Sequence, residues 1–223
     1  MDSTEEFENK TQTLFSRWSK FYDSKVNRLL FFEPTYRQII RLLKSRALSH
    51  LTPSSKFLDV ACGTGEIIAR LASEYLTVEF AGVDFTAAMI EKAKQKNVSL
   101  KNVNFQEANV TQLPFEDNLF DVVICSDAFH HFLNPDQALQ EINRVLKVGG
   151  LFLLVDIAVN NNLMQFIGNT FLKKLENAQH YYSKKEHAEI LTNSGFLVET
   201  KLTYFFNNYF VCFKEFEKLR REL

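Results

Sequence analysis

Between residues 56 and 157 the spacing of apolar positions alternates between two periods. Phe57-Leu58-Asp59-Val60-Ala61 is a short, nearly unbroken apolar run, which predicts a buried strand, and a glycine turn leads from it into a helix beginning over Glu66–Ser73. The alternation then repeats. Strands are predicted over Val78–Val83, around Val103–Gln106, over Phe120–Cys125 and over Leu151–Ile157, with helices over Ala87–Asn97 and Pro135–Val145. Strands separated by helices predict an α/β fold, a largely parallel sheet covered on both faces. Ligands of such a sheet gather beyond the carboxyl ends of its strands.

The flanks read differently. Residues 1–50 carry apolar positions at helical spacing (Phe15, Trp18 and Tyr22, then Leu29/Leu30 and Ile39/Ile40/Leu43), with Pro34 at a helix break or start. They are expected to form a helical cap on the same domain as residues 51–223. After Ile157 the regular pattern lapses, and residues 158–182 are expected to form a lid-like insertion containing an amphipathic helix over Leu163–Leu175. Ser183 and Glu186 stand at capping-box spacing before a helix over Lys184–Asn193, and Gly195 supplies its stop. Two final strands, Phe196–Leu202 and Tyr209–Phe216, are expected to join through a turn at Asn207-Asn208.

The segment richest in chemistry is Asp59-Val60-Ala61-Cys62-Gly63-Thr64-Gly65-Glu66. Small residues at Ala61, Gly63 and Gly65 permit turn dihedrals and allow backbone to approach a ligand without a Cβ in the way. A dinucleotide turn places its third glycine where this chain has Ile68, and the Gly-Lys-Ser/Thr of a phosphate loop is absent. Asp59 disfavours a pyrophosphate beside the turn and favours an amino acid's ammonium group. Asp84, at the end of the second strand, has the placement that accepts ribose hydroxyls, and Phe85 offers an apolar face to a purine. An Asp that merely caps the following helix would look the same in sequence.

Composition narrows the classes. Twenty-six basic residues against 27 acidic give a net charge of −1, without the basic footprint of a nucleic-acid binder. No run is long and apolar enough for a membrane span, and the acidic first residues lack the order of a secretory signal. Cys62, Cys125 and Cys212 are dispersed, which suits reduced thiols in the cytoplasm. Neither His130/His131 nor His180/His187 has the spacing of paired metal ligands on a helix, so no metal site is expected.

Taken in order, Leu58-Asp59-Val60-Ala61-Cys62-Gly63-Thr64-Gly65, Val83-Asp84, Leu113-Pro114-Phe115, Phe120-Asp121-Val122-Val123, His130-His131-Phe132 and the run from Glu141 to Gly150 resemble the class I S-adenosylmethionine-dependent methyltransferases. Within them the likeness is to the small-molecule type related to quinone biosynthesis. The resemblance implies a doubly wound, Rossmann-like sheet of seven strands whose last strand is antiparallel. It also implies S-adenosyl-L-methionine as cofactor and S-adenosyl-L-homocysteine as product. Gly63 and Gly65 would face the methionyl part and Asp84 the ribose. Asn109 stands where the family commonly has an acidic residue for the adenine amino group, with Val110 beside the ring.

On the acceptor side, the strand ending at Cys125 delivers Ser126, Asp127, His130 and His131 toward the ligand. Ser126 is read as backbone near the cofactor, and His130 and His131 are the candidate bases. Trp18, Tyr22, His130, Met164 and Tyr182 are candidate contacts to the acceptor, with Phe21, Phe166, Ile167 and Phe171 as further apolar residues around the opening. Their apolar character favours a small, partly hydrophobic methyl acceptor. A nucleoside-binding regulator without turnover and a nicotinamide-dependent oxidoreductase remain the other readings of the same residues.

Overall fold

In a computed structural model of the 223-residue chain, the structure describes residues 3–22, 32–48 and 51–215. A seven-stranded sheet carries the fold: β1 (Lys56–Val60), β2 (Glu79–Asp84), β3 (Val103–Glu107), β4 (Phe120–Ser126), β5 (Leu146–Ile157), β6 (Phe196–Tyr204) and β7 (Asn207–Lys214). Its spatial order is β3-β2-β1-β4-β5-β7-β6. Strands β3, β2, β1, β4 and β5 pair in parallel, whereas β7, the last strand, runs antiparallel to both neighbours. The chain therefore has the α/β architecture the pattern predicted, with the seven strands and antiparallel last strand that the family resemblance implied. Its order reverses between β1 and β4, where sheets of this kind open a crevice.

Helices cover both faces. In chain order they are α1 (Ser3–Tyr22), α2 (Glu33–Arg46), α3 (Glu66–Ala72), α4 (Ala87–Lys96), α5 (Pro135–Val145), α6 (Asn162–Ile167), α7 (Lys173–Glu176) and α8 (Lys184–Asn193). The two-residue period of the strands divides the core. Phe57 of β1 joins Phe80, Ile124 and Leu153 under α2, α3 and α4. Leu58 and Val60 of the same strand join Val123, Phe152 and Leu154 under α5 and α8. With both faces buried, the strands need continuous apolar runs, as their sequence shows.

Several motifs prove to be joinery. Arg144 and Glu141 of α5 pair, and together they hold the 113–117 loop: Glu141 accepts the Leu113 N–H, and Arg144 donates to the Leu113 and Phe115 carbonyls and to Asp117. Asp121 accepts the Lys56 N–H and the Lys147 ammonium, pinning the start of β4 to β1. The Ser183–Glu186 capping box is formed in both directions at the start of α8.

Two boundaries differ from the sequence expectation. Asn207 and Asn208 belong to β7, and the turn falls on Phe205-Phe206, with Phe205 at φ +56°. The two amides are held in the strand from outside it: Asn207 donates to Thr35 Oγ1 (3.0 Å), and Asn208 exchanges hydrogen bonds with Asn160. β5 begins at Leu146, five residues early, because a register shift opposite Phe120 to Val122 absorbs Gly149 at φ +74°. Residues 162–176 are one helical stretch, α6 and α7 joined through a π-turn at Gly168–Leu172.

Candidate active site

The β1–α3 turn sets the geometry. Ala61, Gly63 and Gly65 all lie in the left-handed region (φ +57°, +53° and +73°), so the backbone doubles back within five residues. Cys62 N–H bonds to the Val83 carbonyl, tying the turn to the end of β2 (2.9 Å), and Gly65 N–H closes onto the Cys62 carbonyl (2.9 Å). The two glycines do different work. A Cβ on Gly63 would meet nothing within 4 Å, whereas one on Gly65 would strike the Phe105 ring at 2.7 Å. Gly63 faces open space and Gly65 faces the core.

That open space is a cavity of about 180 Å³ beyond the carboxyl ends of β1, β2 and β4. Ala61, Gly63, Asp84, Phe85, Asn109, Val110 and Ser126 all line it, so seven of the nine residues singled out for the cofactor share one wall. Asp59 and Gly65 lie just behind. Asp59 is buried, its Oδ1 has no hydrogen-bond partner, and burial followed by the nearby Asp84 charge pushes its carboxyl well above the usual range. Asp84 Oδ2 accepts the Gly63 N–H (2.9 Å) and Oδ1 accepts the Thr86 N–H (2.8 Å). The Thr86 hydroxyl bonds the same carboxylate, so three of the roughly four acceptor positions a carboxylate offers are used, leaving one for a ribose hydroxyl. Asn109 Oδ1, read from sequence as an acceptor for an adenine amino group, already receives Thr111 N–H (3.0 Å) and Oγ1–H (2.9 Å).

The opposite wall is apolar. Phe7, Thr11 and Phe15, one four-residue stripe of α1, line it with Tyr36, Phe132 and Leu133. Sequence reasoning chose Trp18 and Tyr22 from this helix. Trp18 packs edge-on against Phe15 outside the cavity lining, and the Tyr22 and Phe21 side chains lie outside the described residues. The i, i+4, i+8 spacing of Phe7, Thr11 and Phe15 was the signal that could have found the inner face. Met164 is exposed and Tyr182 is buried against Phe129 and His187; neither lines the cavity, nor do Phe166, Ile167 or Phe171.

The adjacent histidines diverge. His131 lines the cavity edge-on to Phe15 (5.0 Å), and burial, reinforced by the neighbouring His130, depresses it to about 3. His130 lies behind the lining. Its Nδ1 is 2.5 Å from Asp156 Oδ1, while His187 Nε2 lies 3.3 Å from Asp156 Oδ2. Burial opposes His130 protonation, but Asp156 outweighs it and holds the imidazole above its ordinary value; the same histidines hold buried Asp156 well below the carboxylate range. Folding also gathers ligand atoms of His130, His131 and Glu176 within 4.8 Å of one another, a grouping no sequence spacing displays. Within it His130 is engaged by Asp156, and Glu176 accepts the Tyr181 hydroxyl.

One residue that sequence delivered toward the ligand was not chosen there as a base. Asp127 follows β4, lines the cavity and sits at φ +51°, a conformation Asp tolerates better than most side chains. Burial, then repulsion from Asp156, raises its carboxyl to about 7. The signal was an Asp directly beyond a buried strand, where ligands of parallel sheets collect.

Residues 51–208 match the family described as "Methyltransferase domain". A demethylmenaquinone methyltransferase of Staphylococcus aureus is 36% identical over 151 residues, covering 66% of this chain and 61% of its own. The chain thus spans less than two thirds of the length of the curated relatives it matches. The YcgJ protein of Bacillus subtilis superposes with a TM-score of 0.66 at 27% identity, over 75% of this chain and 71% of that one. An S-adenosylmethionine-dependent methyltransferase of Aquifex aeolicus shares the fold at 20% identity (TM-score 0.69, 88% of this chain and 97% of that one).

Proposed function

The chain belongs to the methyltransferase-domain family, class I and S-adenosylmethionine-dependent, and from that premise we propose that it methylates a small, partly hydrophobic acceptor. The observation that carries this reading is the single cavity shared by the open Gly63 turn, Asp84 and the phenylalanine stripe of α1. The residues fit the cofactor. Asp59, with an unpartnered buried oxygen, and the Ala61–Gly63 backbone would hold its amino-acid end. Asp84 would hold the ribose, with Phe85, Asn109 and Val110 around the adenine and Ser126 beside the junction. Where a dinucleotide turn needs glycine, Ile68 is fully buried in the core, which disfavours the nicotinamide reading.

When bound, S-adenosylmethionine supplies a methyl group on a positively charged sulfur. The chain's own task is to hold the acceptor in line with that methyl, exclude water and remove the acceptor's proton. Asp127 is the better base. Its carboxylate titrates near neutrality in the cavity wall, whereas His131, at about 3, has little affinity for a proton. His130, bonded to Asp156 behind the lining, acts as a positioning group for this loop. Phe7, Phe15 and Phe132 give the acceptor an apolar bed. The likeness to demethylmenaquinone methyltransferases favours a quinol-like ring, and three free thiols suit a reducing, cytoplasmic setting.

The test is transfer from methyl-labelled S-adenosylmethionine to a panel of quinols and phenols. Asp127→Asn should lower kcat by about a hundredfold or more and abolish the rise of rate with pH through about 7, leaving cofactor affinity intact. Binding of cofactor with no transfer to any acceptor would reduce the protein to a nucleoside-binding regulator.

A further inference from the structure

The helical stretch 162–176 is built inside out. All seven of its large apolar side chains are exposed, including Leu163 (68%), Phe166 (62%), Phe171 (58%) and Leu175 (70%). Three of its polar residues, Gln165, Asn169 and Glu176, bond inward. Gln165 donates to Glu186 of α8 (2.6 Å), and Asn169 both donates to the Tyr181 carbonyl (3.1 Å) and accepts the Tyr181 N–H (2.8 Å). Glu176 accepts the Tyr181 hydroxyl, and Asn177, just beyond α7, donates to Thr11 Oγ1 on the cavity-lining stripe of α1 (2.7 Å). Gly168 permits close contact with Tyr181, whose ring would lie 3.2 Å from an added Cβ. Hydrogen bonds thus fix the helix with its apolar face to the outside, the reverse of what burial alone selects.

The face extends and carries charge. The Phe205-Phe206 turn, also exposed, is joined to the approach to α6 through Ala158 N–H to Phe206 O and Asn160 to Thr203. Lys173 and Lys174 lie in the same stretch, whose one acidic residue, Glu176, is engaged inward; Lys184 begins the neighbouring α8. An apolar face bordered by lysines complements an anionic lipid surface. A second copy would bring the same lysines to the contact without an acidic counterpart from this stretch.

We propose that residues 162–176 and the β6–β7 turn dock the protein onto a membrane surface containing anionic lipid, with α1 and the cavity beside the bilayer. This deepens the reading of a partly hydrophobic acceptor and rests on it, since such an acceptor dissolves in lipid. No helix among the described residues is long and apolar enough to cross a membrane.

The test is co-sedimentation of the full chain with vesicles of equal parts phosphatidylglycerol and phosphatidylcholine, and with phosphatidylcholine alone. Wild type should bind the mixed vesicles, more weakly as salt rises. Phe166→Ser with Leu175→Ser should weaken binding about tenfold or more, and Lys173→Glu with Lys174→Glu should remove the preference for phosphatidylglycerol. Calorimetry with S-adenosylhomocysteine identifies variants that remain folded. Absence of wild-type binding, or equal binding by a folded apolar variant, would overturn the proposal; so would a lipid-free dimer that the apolar variant dissolves. Transfer to a water-soluble phenol without lipid reads the activity separately. Transfer without vesicle binding defeats the docking surface alone, and vesicle binding without transfer defeats the methyltransferase reading alone.

Discussion

The Gly63–Asp84 end of the cavity and the Asp127–His130–Asp156 region at the ends of β4 and β5 are assembled in opposite ways. The first comes from two neighbouring strand ends, and its determining bonds are backbone N–H groups to one carboxylate: Gly63 and Thr86 to Asp84. The second draws Asp127 and His130 from beyond β4, Asp156 from β5, Glu176 from α7 and His187 from α8, and holds them through buried side-chain charge. Backbone-built geometry survives changes in its surroundings because the turn is held by its own dihedrals. A side-chain cluster in low dielectric depends on every member, since an uncompensated buried charge is costly.

The largest effect should therefore follow from Asp156→Asn. Breaking the pair leaves two buried histidines without their carboxylate, and stability should fall by about 3–5 kcal/mol. The pH dependence has a defined sign. His130 is raised in the folded state, so its contribution is complete below the unfolded histidine value and is lost as pH rises through the folded one. Asp156 is lowered, so its contribution is present above the unfolded carboxylate value and is lost in acid. Denaturant unfolding should show a larger gap between wild type and variant at about pH 5.5 than at about pH 8.5. An unchanged unfolding curve with impaired transfer would instead assign the cluster to catalysis and erase the contrast between the two ends.

The same contrast explains what sequence conveyed. The individual strands and helices, the glycine turn, the place of Asp84 at a strand end and the Ser183–Glu186 cap are local events, specified by residues near one another in the chain. Phe7 and Phe15 acquire their places from tertiary packing, and so do the Asp156 cluster and the buried setting that raises the Asp127 carboxyl. Asn207-Asn208 reads as a turn until Thr35 and Asn160, remote in the chain, claim both amides for β7. The 3.6-residue period of residues 163–175 revealed a helix but not which side would face the body, because that choice was made by Gln165, Asn169 and Tyr181.

A pair of glycine substitutions sharpens the comparison within the turn itself. Gly65→Ala sets a Cβ against Phe105 at a positive φ and should cost about 2–4 kcal/mol, lowering Tm by roughly 5–10 °C. Gly63→Ala meets no atom, so only its left-handed backbone is penalised, by about 1–2 kcal/mol. Its methyl group would project toward the cavity, and cofactor affinity measured by calorimetry should drop by about tenfold. If Gly65→Ala unfolds at the wild-type temperature, the division between a ligand-facing and a core-facing glycine is wrong.

The smallest change is expected at Asn109. A carboxylate in its place would assist an adenine amino group through charge, provided that the side chain points to the ring. In this fold Oδ1 already accepts two hydrogen bonds from Thr111, which turns the amide back onto its own loop. Asn109→Asp should strengthen those local bonds and alter S-adenosylhomocysteine affinity by less than about threefold. A gain of about tenfold or more would show that the side chain leaves Thr111 when the cavity fills. Specificity at the backbone-built end would then depend on a movable side chain.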